Sequence, residues 1–330
     1  MNTDRRIFLK QASAALATAY FAPSLLSCSS PTPKGGTSLP SGIGIQLYTL
    51  RDVLDTDVQN TIARVAEIGY DHVETFGLEI NGQGEPTFWG TSRSDLRSLL
   101  EQSSLKTYSG HYDLSEFLTP GDGNEEALNI YIDTAAELGQ QYLIAPVPPM
   151  MLIDSLTSDD YRFMADQLNK AGELAAKSGL KVGYHNHFWE FRTFDDGSKG
   201  MDILIENTDE ELVVFELDLF WSEKSGIDST TYFKKYPGRF PLWHIKDMDK
   251  RNTVPVTGPE YDKKPIMELL PAITYTEVGT GAIDFKKILS EQETAGLQYA
   301  FVEQDIITID PFESVKKSYQ YVNQELLVGP

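Results

Sequence analysis

Eight short apolar runs recur between residues 43 and 304, and a helix-sized stretch follows each of them. The runs are Ile43–Leu47, His72–Thr75, Lys106–Gly110, Tyr142–Ala145, Lys181–Asn186, Val213–Asp218, Leu242–Lys246 and Tyr299–Gln304. Amphipathic segments such as Val58–Ile68, Asp95–Gln102, Glu126–Leu138 and Tyr161–Lys177 lie between them. In the last, Tyr161, Met164, Leu168, Ala171, Leu174 and Ala175 recur at spacings of three and four, which marks one buried helix face. Gly69, Gly139 and Gly179 stand where a left-handed residue would end a helix before the next strand. Eight such units predict an α/β fold, the (β/α)8 TIM barrel. A doubly wound sheet is the rival, but no Gly-x-Gly-x-x-Gly follows the first run. The longest interruptions, Glu79–Thr91 and Asp249–Pro271, follow strands two and seven and would lie on the C-terminal face.

The first forty residues do not share this pattern. Asp4-Arg5-Arg6-Ile7-Phe8-Leu9-Lys10 precedes an uncharged, alanine-rich stretch, and Leu25-Leu26-Ser27-Cys28 follows. A basic start and a short apolar stretch read as an export signal, here resembling the twin-arginine type with a lipobox. A spanning anchor is disfavoured by the Ala, Ser and Thr content and by Pro23. The expectation is a signal over 1–27, a flexible tether over 28–42 and a catalytic barrel over 43–330. Lipidation at Cys28 would hold an exported, periplasmic protein at a membrane. That lone cysteine excludes an internal disulfide and a paired-thiolate zinc site. With 49 acidic against 28 basic residues, net −21, the chain would repel phosphate backbones, and no basic patch offsets this. No nucleic-acid partner is expected.

Barrels carry their functional side chains at the C-terminal strand ends. Here those positions hold Gln46 and Tyr48, Glu74, His111, His185 with His187 and Glu190, Glu216 and Asp218, His244 with Lys246, and Glu303 with Asp305. Four of the five histidines fall among them. Asp218, His244 and Glu303 end successive strands and His185 the strand before, so all four can meet as ligands of one divalent metal. Singly, Asp218 reads equally well as a helix cap and Glu303 as a partner of Lys246. Gln46, Glu74, His111, His187 and Trp221 are the candidate substrate contacts. Glu303, Glu190 and Lys246 are the candidate acid–base groups. The many aromatics near these ends suit sugar rings, and equally suit closing the barrel.

At these residues the chain resembles the xylose isomerase-like TIM-barrel superfamily, the sugar phosphate isomerases/epimerases. The matching stretches are Gly44-Ile-Gln-Leu-Tyr-Thr-Leu-Arg-Asp52, Gly69-Tyr-Asp-His-Val-Glu-Thr-Phe-Gly77, Gly183-Tyr-His-Asn-His-Phe-Trp-Glu-Phe191 and Glu216-Leu-Asp-Leu-Phe-Trp221. His244-Ile-Lys-Asp247, Gly279-Thr-Gly-Ala-Ile-Asp-Phe285 and Val302-Glu-Gln304 extend the match. The resemblance implies a divalent cofactor (Mn, Mg, Co or Zn) and a small-molecule carbohydrate or cyclitol. Asp218, His244 and Glu303 fall on the superfamily's ligand positions. His185 stands where its epimerases usually carry a glutamate, one of two metal-bound carboxylates that exchange protons across the substrate.

The functional expectation is a metal-dependent sugar isomerase or epimerase-like enzyme that removes a proton next to a carbonyl. A keto-glycoside lyase or hydrolase of the same fold is the alternative, favoured by His185, by export and by the lack of a basic phosphate cradle. A carbohydrate-binding lipoprotein without activity is the reading from another class. An abasic-site endonuclease is disfavoured by the net charge.

Overall fold

The computed structural model describes residues 39–327 except 83 and 121–124. The expected signal, Cys28 and most of the tether lie outside the described residues. Leu39, placed in the tether from sequence, is buried, so the packed barrel begins before residue 43.

Eight parallel strands close into a barrel in which neighbours in sequence are neighbours in space. They are Gly44–Gln46, His72–Thr75, Lys106–His111, Tyr142–Ala145, Lys181–His185, Val213–Asp218, Leu242–Ile245 and Tyr299–Val302. Strand one is shorter than its apolar run because the Gln46 side chain accepts the Tyr48 N–H and starts a 3-10 turn. The helices follow the periodicity. Val58–Ile68 starts at an Asp57 cap and ends at Gly69, whose φ of +116° favours glycine. Ser158–Ala176 starts three residues before its apolar stripe, where Thr157 and Asp160 form a capping box.

The described residues of both interruptions form regular contacts. Leu78–Ile80, Pro86–Phe88 and Thr91–Ser92 make a small antiparallel sheet. After strand seven, Asp247–Met248 pairs with Tyr275–Thr276, and Val256, Ile266 and Leu269 pack on Phe188, Phe220 and Trp221. The Asp247 carboxylate accepts N–H groups from Met248, Gly279, Gly281 and Ile283. A Cβ at Gly281 would overlap that carboxylate, which explains why the aspartate and the Gly-Thr-Gly turn occur together.

The barrel interior is layered. Its N-terminal floor holds Tyr142, Tyr299 and Phe301 around His72, whose imidazole burial pushes down to about 4. This fifth histidine is a neutral packing group. Directly above it lie the histidines and carboxylates of the strand ends.

Candidate active site

Two groups of side chains lie one above the other inside the barrel, and His244 belongs to both. In the upper group, ligand-type atoms of His185, Asp218, His244 and Glu303 lie within 4.8 Å of one another. His244 Nδ1 is 2.7 Å from Glu303 Oε2 and 3.1 Å from His185 Nε2, and His185 Nε2 is 3.4 Å from Asp218 Oδ2. Both plainer roles foreseen for these residues are also seen. Asp218 Oδ1 accepts the Trp221 N–H as a helix cap, leaving Oδ2 toward the cluster. Lys246 Nζ lies 2.7 Å from Glu303 Oε2, 2.9 Å from Asp218 Oδ2 and 2.9 Å from Asp305 Oδ1.

The lower group is Glu74, His111, Glu216 and His244. His244 Nε2 is 2.7 Å from Glu74 Oε2 and 3.2 Å from Glu216 Oε2, while His111 Nε2 is 3.3 and 2.8 Å from the same two oxygens. The His244 imidazole therefore turns one nitrogen to each group. That is how a metal-bound histidine is commonly held, with its second N–H donated to a carboxylate.

Electrostatics tie the groups together. Burial opposes charge on His244, but Glu216 and Glu303 outweigh it and raise the imidazole well above its ordinary range. Burial alone would raise Glu303, yet Lys246 and His244 hold its carboxyl well below the usual values. Lys246, although buried, is raised by Asp218, Asp305 and Glu303.

The donor set fits a divalent cation. Glu74, Glu216, Asp218 and Glu303 are buried carboxylates; Lys246 lies against Asp218 and Glu303, and His244 and His111 against Glu74 and Glu216. Such an excess of buried negative charge is costly without a counter-ion. The His185 Nε2 and His244 Nδ1 atoms, 3.1 Å apart, meet well only across a shared proton or a cation. Imidazole with carboxylate suits a first-row metal.

Above the clusters opens a cavity of about 600 Å3. Of the upper group, His185 and Glu303 line it, together with His111, His187, Trp221, Lys246, Tyr275 and Asp305. The Trp221 indole N–H and His187 Nδ1 are buried without a hydrogen-bond partner among the described residues, which leaves them available to a ligand.

Four expected roles change. Gln46 and Glu74 do not line the cavity. Gln46 donates to Glu74 at 2.7 Å, and Glu74 lies beneath His244, so both support the cluster instead of touching substrate. Lys246 is held by three carboxylates that strengthen its grip on its proton, which suits it to a fixed positive charge better than to proton donation. Glu190 is wholly buried away from the cavity, accepting the Tyr184 hydroxyl and the His187 N–H at 2.7 Å each. It shapes the turn after strand five and does not act as an acid or base on substrate. Two contributors escaped assignment from sequence. Glu216 stands two residues before Asp218 on the same strand face, and Asp305 two residues after Glu303.

Burial pushes the Glu190 carboxyl up from an ordinary 4.5 to about 7, against the hydrogen bonds of Tyr184 and His187. Between those values the folded protein keeps a proton that the unfolded chain releases. The Glu190 contribution to stability is therefore complete below about 4.5 and is lost as pH rises through 7, by about 3 kcal/mol at 1.36 kcal/mol per unit. Glu190→Gln cannot ionise, so its melting temperature is expected to gain on the wild type between pH 5 and 7.5. Parallel pH curves for the two proteins would contradict this.

Comparison with known proteins agrees with the architecture. The family model of the xylose isomerase-like TIM barrel matches residues 62–301. An inosose dehydratase of Clostridium perfringens (strain 13 / Type A) is 30% identical over 173 residues, 52% of this chain and 56% of that enzyme. The chain thus spans little more than half the length of this curated relative. An inosose dehydratase of Clostridium botulinum (strain Alaska E43 / Type E3) is 27% identical over 246 residues, 70% of this chain and 80% of its own. The crystal structure of a sugar phosphate isomerase/epimerase from Parabacteroides distasonis ATCC 8503 superposes with a TM-score of 0.71 at 26% identity, covering 93% of this chain and 100% of that one. With its closed eight-stranded barrel and this match, the chain belongs to the xylose isomerase-like TIM-barrel family.

Proposed function

We propose that the protein is a metal-dependent enzyme that removes a proton next to the carbonyl of a keto-sugar or keto-cyclitol and completes the reaction by β-elimination. The observation that carries this is the composition of the cavity floor. Of the four clustered side chains, Glu303 is the carboxylate that lines the cavity, and its counterpart on strand five is His185. A two-base proton exchange needs a base on each side of the substrate, the part that paired carboxylates play. One carboxylate suffices for an elimination.

A divalent cation held by His185, Asp218, His244 and Glu303 would supply Lewis-acid polarisation of the carbonyl. The remaining roles belong to the chain. Glu303, kept ionised by Lys246 and His244, accepts the proton from the carbon beside the carbonyl. The C–H electron pair becomes a C=C bond, the C–O bond on the next carbon breaks, and the departing hydroxyl takes the proton back from Glu303 and leaves as water. Lys246, at the cavity wall, is a fixed positive charge against negative charge gathering on oxygen. The inosose dehydratase relatives support this reading, since loss of water from a keto-cyclitol is such an elimination. A phosphorylated substrate is disfavoured. The lining cations are Lys246, occupied by carboxylates, and Arg51, whose guanidinium bonds the carbonyls of Tyr48 and Asp305.

The test is turnover of an inosose and of keto-hexoses by the purified protein, followed by ultraviolet absorbance of the unsaturated product. Activity is expected to vanish with a chelator and return with manganese, cobalt or zinc. Absence of product with every ketone and every metal would refute the proposal.

A further inference from the structure

The cavity has two unlike halves. Its deep part is polar: His185, Lys246 and Glu303 are buried, and His111 and His187 partly buried. Its remaining lining is largely apolar, with Tyr48, Phe76, Leu78, Val147, Leu270 and Ile306 beside Arg51 and Asp113. Tyr48, Leu270 and Ile306 are 37%, 39% and 59% exposed, large apolar side chains left in water at the mouth of a site. A volume of about 600 Å3 lies within the roughly 300–1,000 Å3 that holds drug-sized ligands, and one hydroxylated ring on the floor would fill only part of it. Further hydroxyls would find few partners there, since Arg51 is engaged by two backbone carbonyls and Asp113 already accepts the Ser115 N–H. Apolar matter would cover exposed apolar surface there. Tyr48 and Phe76 meet edge to face at 5.2 Å, an arrangement that readily extends to a third ring.

We propose that the ligand is a glycoside: a hydroxylated ring seated over the clustered ligands, carrying an apolar, preferably aromatic, aglycone against Tyr48, Phe76, Leu270 and Ile306. This rests on the carbonyl chemistry proposed above for the deep half. In the oxidised glycoside the elimination keeps its form and changes its leaving group. Glu303 takes the proton, the C–H pair becomes the C=C bond, and the C–O bond to the aglycone breaks. The departing oxygen takes a proton from water at the open mouth, giving an unsaturated ketone and an alcohol or phenol. No electrons enter or leave.

Methyl and phenyl β-glucosides, which carry no ketone and do not react, test the binding. Titration calorimetry on the metal-loaded full chain is expected to show the phenyl glycoside bound about tenfold more tightly. That is the return on covering roughly 60 Å2 of apolar surface at about 25 cal/mol per Å2. Leu270→Asp and Ile306→Asp, both at exposed positions, are each expected to bring the ratio close to one, with melting curves confirming the fold. Equal affinities, no binding of either glycoside, or an undiminished preference in both variants would overturn the proposal. The inosose assay separates it from the reading beneath it. Turnover without a phenyl preference removes the aglycone site alone, whereas a phenyl preference without turnover of any ketone removes the carbonyl chemistry and leaves the aglycone site standing.

Discussion

Glu303→Gln is expected to abolish exchange of solvent deuterium into the substrate while the barrel stays folded. The carboxylate lines the cavity, and the pairing of its Oε2 with Lys246 and His244 keeps it ionised at neutral pH. An amide keeps an oxygen in place as a weak ligand but cannot hold a proton. Loss of a positioned general base costs about 10^2–10^4 in rate, so exchange should fall at least about a hundredfold. The substitution also removes a carboxylate paired with Lys246 and His244, so a somewhat lower melting temperature is expected. A variant still folded at the assay temperature with exchange lost would place the defect in chemistry. Exchange at the wild-type rate would take the base role from Glu303 and leave Asp305 and Asp113 as the other carboxylates lining the cavity.

The layered interior also shows where the sequence is legible and where it is not. Strand and helix positions follow from local apolar periodicity, so Val58–Ile68, His72–Thr75, Tyr142–Ala145 and Val213–Asp218 can be read to the residue. Periodicity also says that Glu216 and Asp218 share a strand face. It says nothing of height along the barrel axis. Glu74 therefore reads as a substrate contact although it lies under His244, and Gln46, which holds Glu74, is misread with it. Glu190 fails for another reason. Its charge is visible in sequence, but the Tyr184 hydroxyl and the His187 N–H that enclose it are gathered by a turn that no spacing rule specifies. The helix N-termini show the same limit on a smaller scale. Thr157 and Ser92 cap helices ahead of the apolar stripe, and caps are polar residues invisible to a hydrophobic period.

Height along the axis has a measurable consequence for metal binding. His244→Gln removes an imidazole whose Nδ1 faces the upper group, and divalent-metal affinity is expected to fall more than about a hundredfold. Glu74→Gln removes no upper ligand. Its amide oxygen can still accept the His244 Nε2–H at the 2.7 Å position, yet the negative charge that makes the imidazole a better donor is gone. Support of this kind is worth about 10–100-fold in affinity, so Glu74→Gln should fall between the wild type and His244→Gln. Glu216→Gln, which touches the same nitrogen at 3.2 Å, should lose less than Glu74→Gln. Competition with a chromophoric chelator measures the three constants. A second readout comes from heat, because a cation bound only to the folded state raises the melting temperature in proportion to the logarithm of its concentration over Kd. In the metal-free state each variant is expected to melt somewhat lower than the wild type, because each substitution removes one partner of a buried carboxylate–imidazole pair. Wild-type affinity in Glu74→Gln would reduce the lower group to packing, and wild-type affinity in His244→Gln would place the cation away from the upper group altogether.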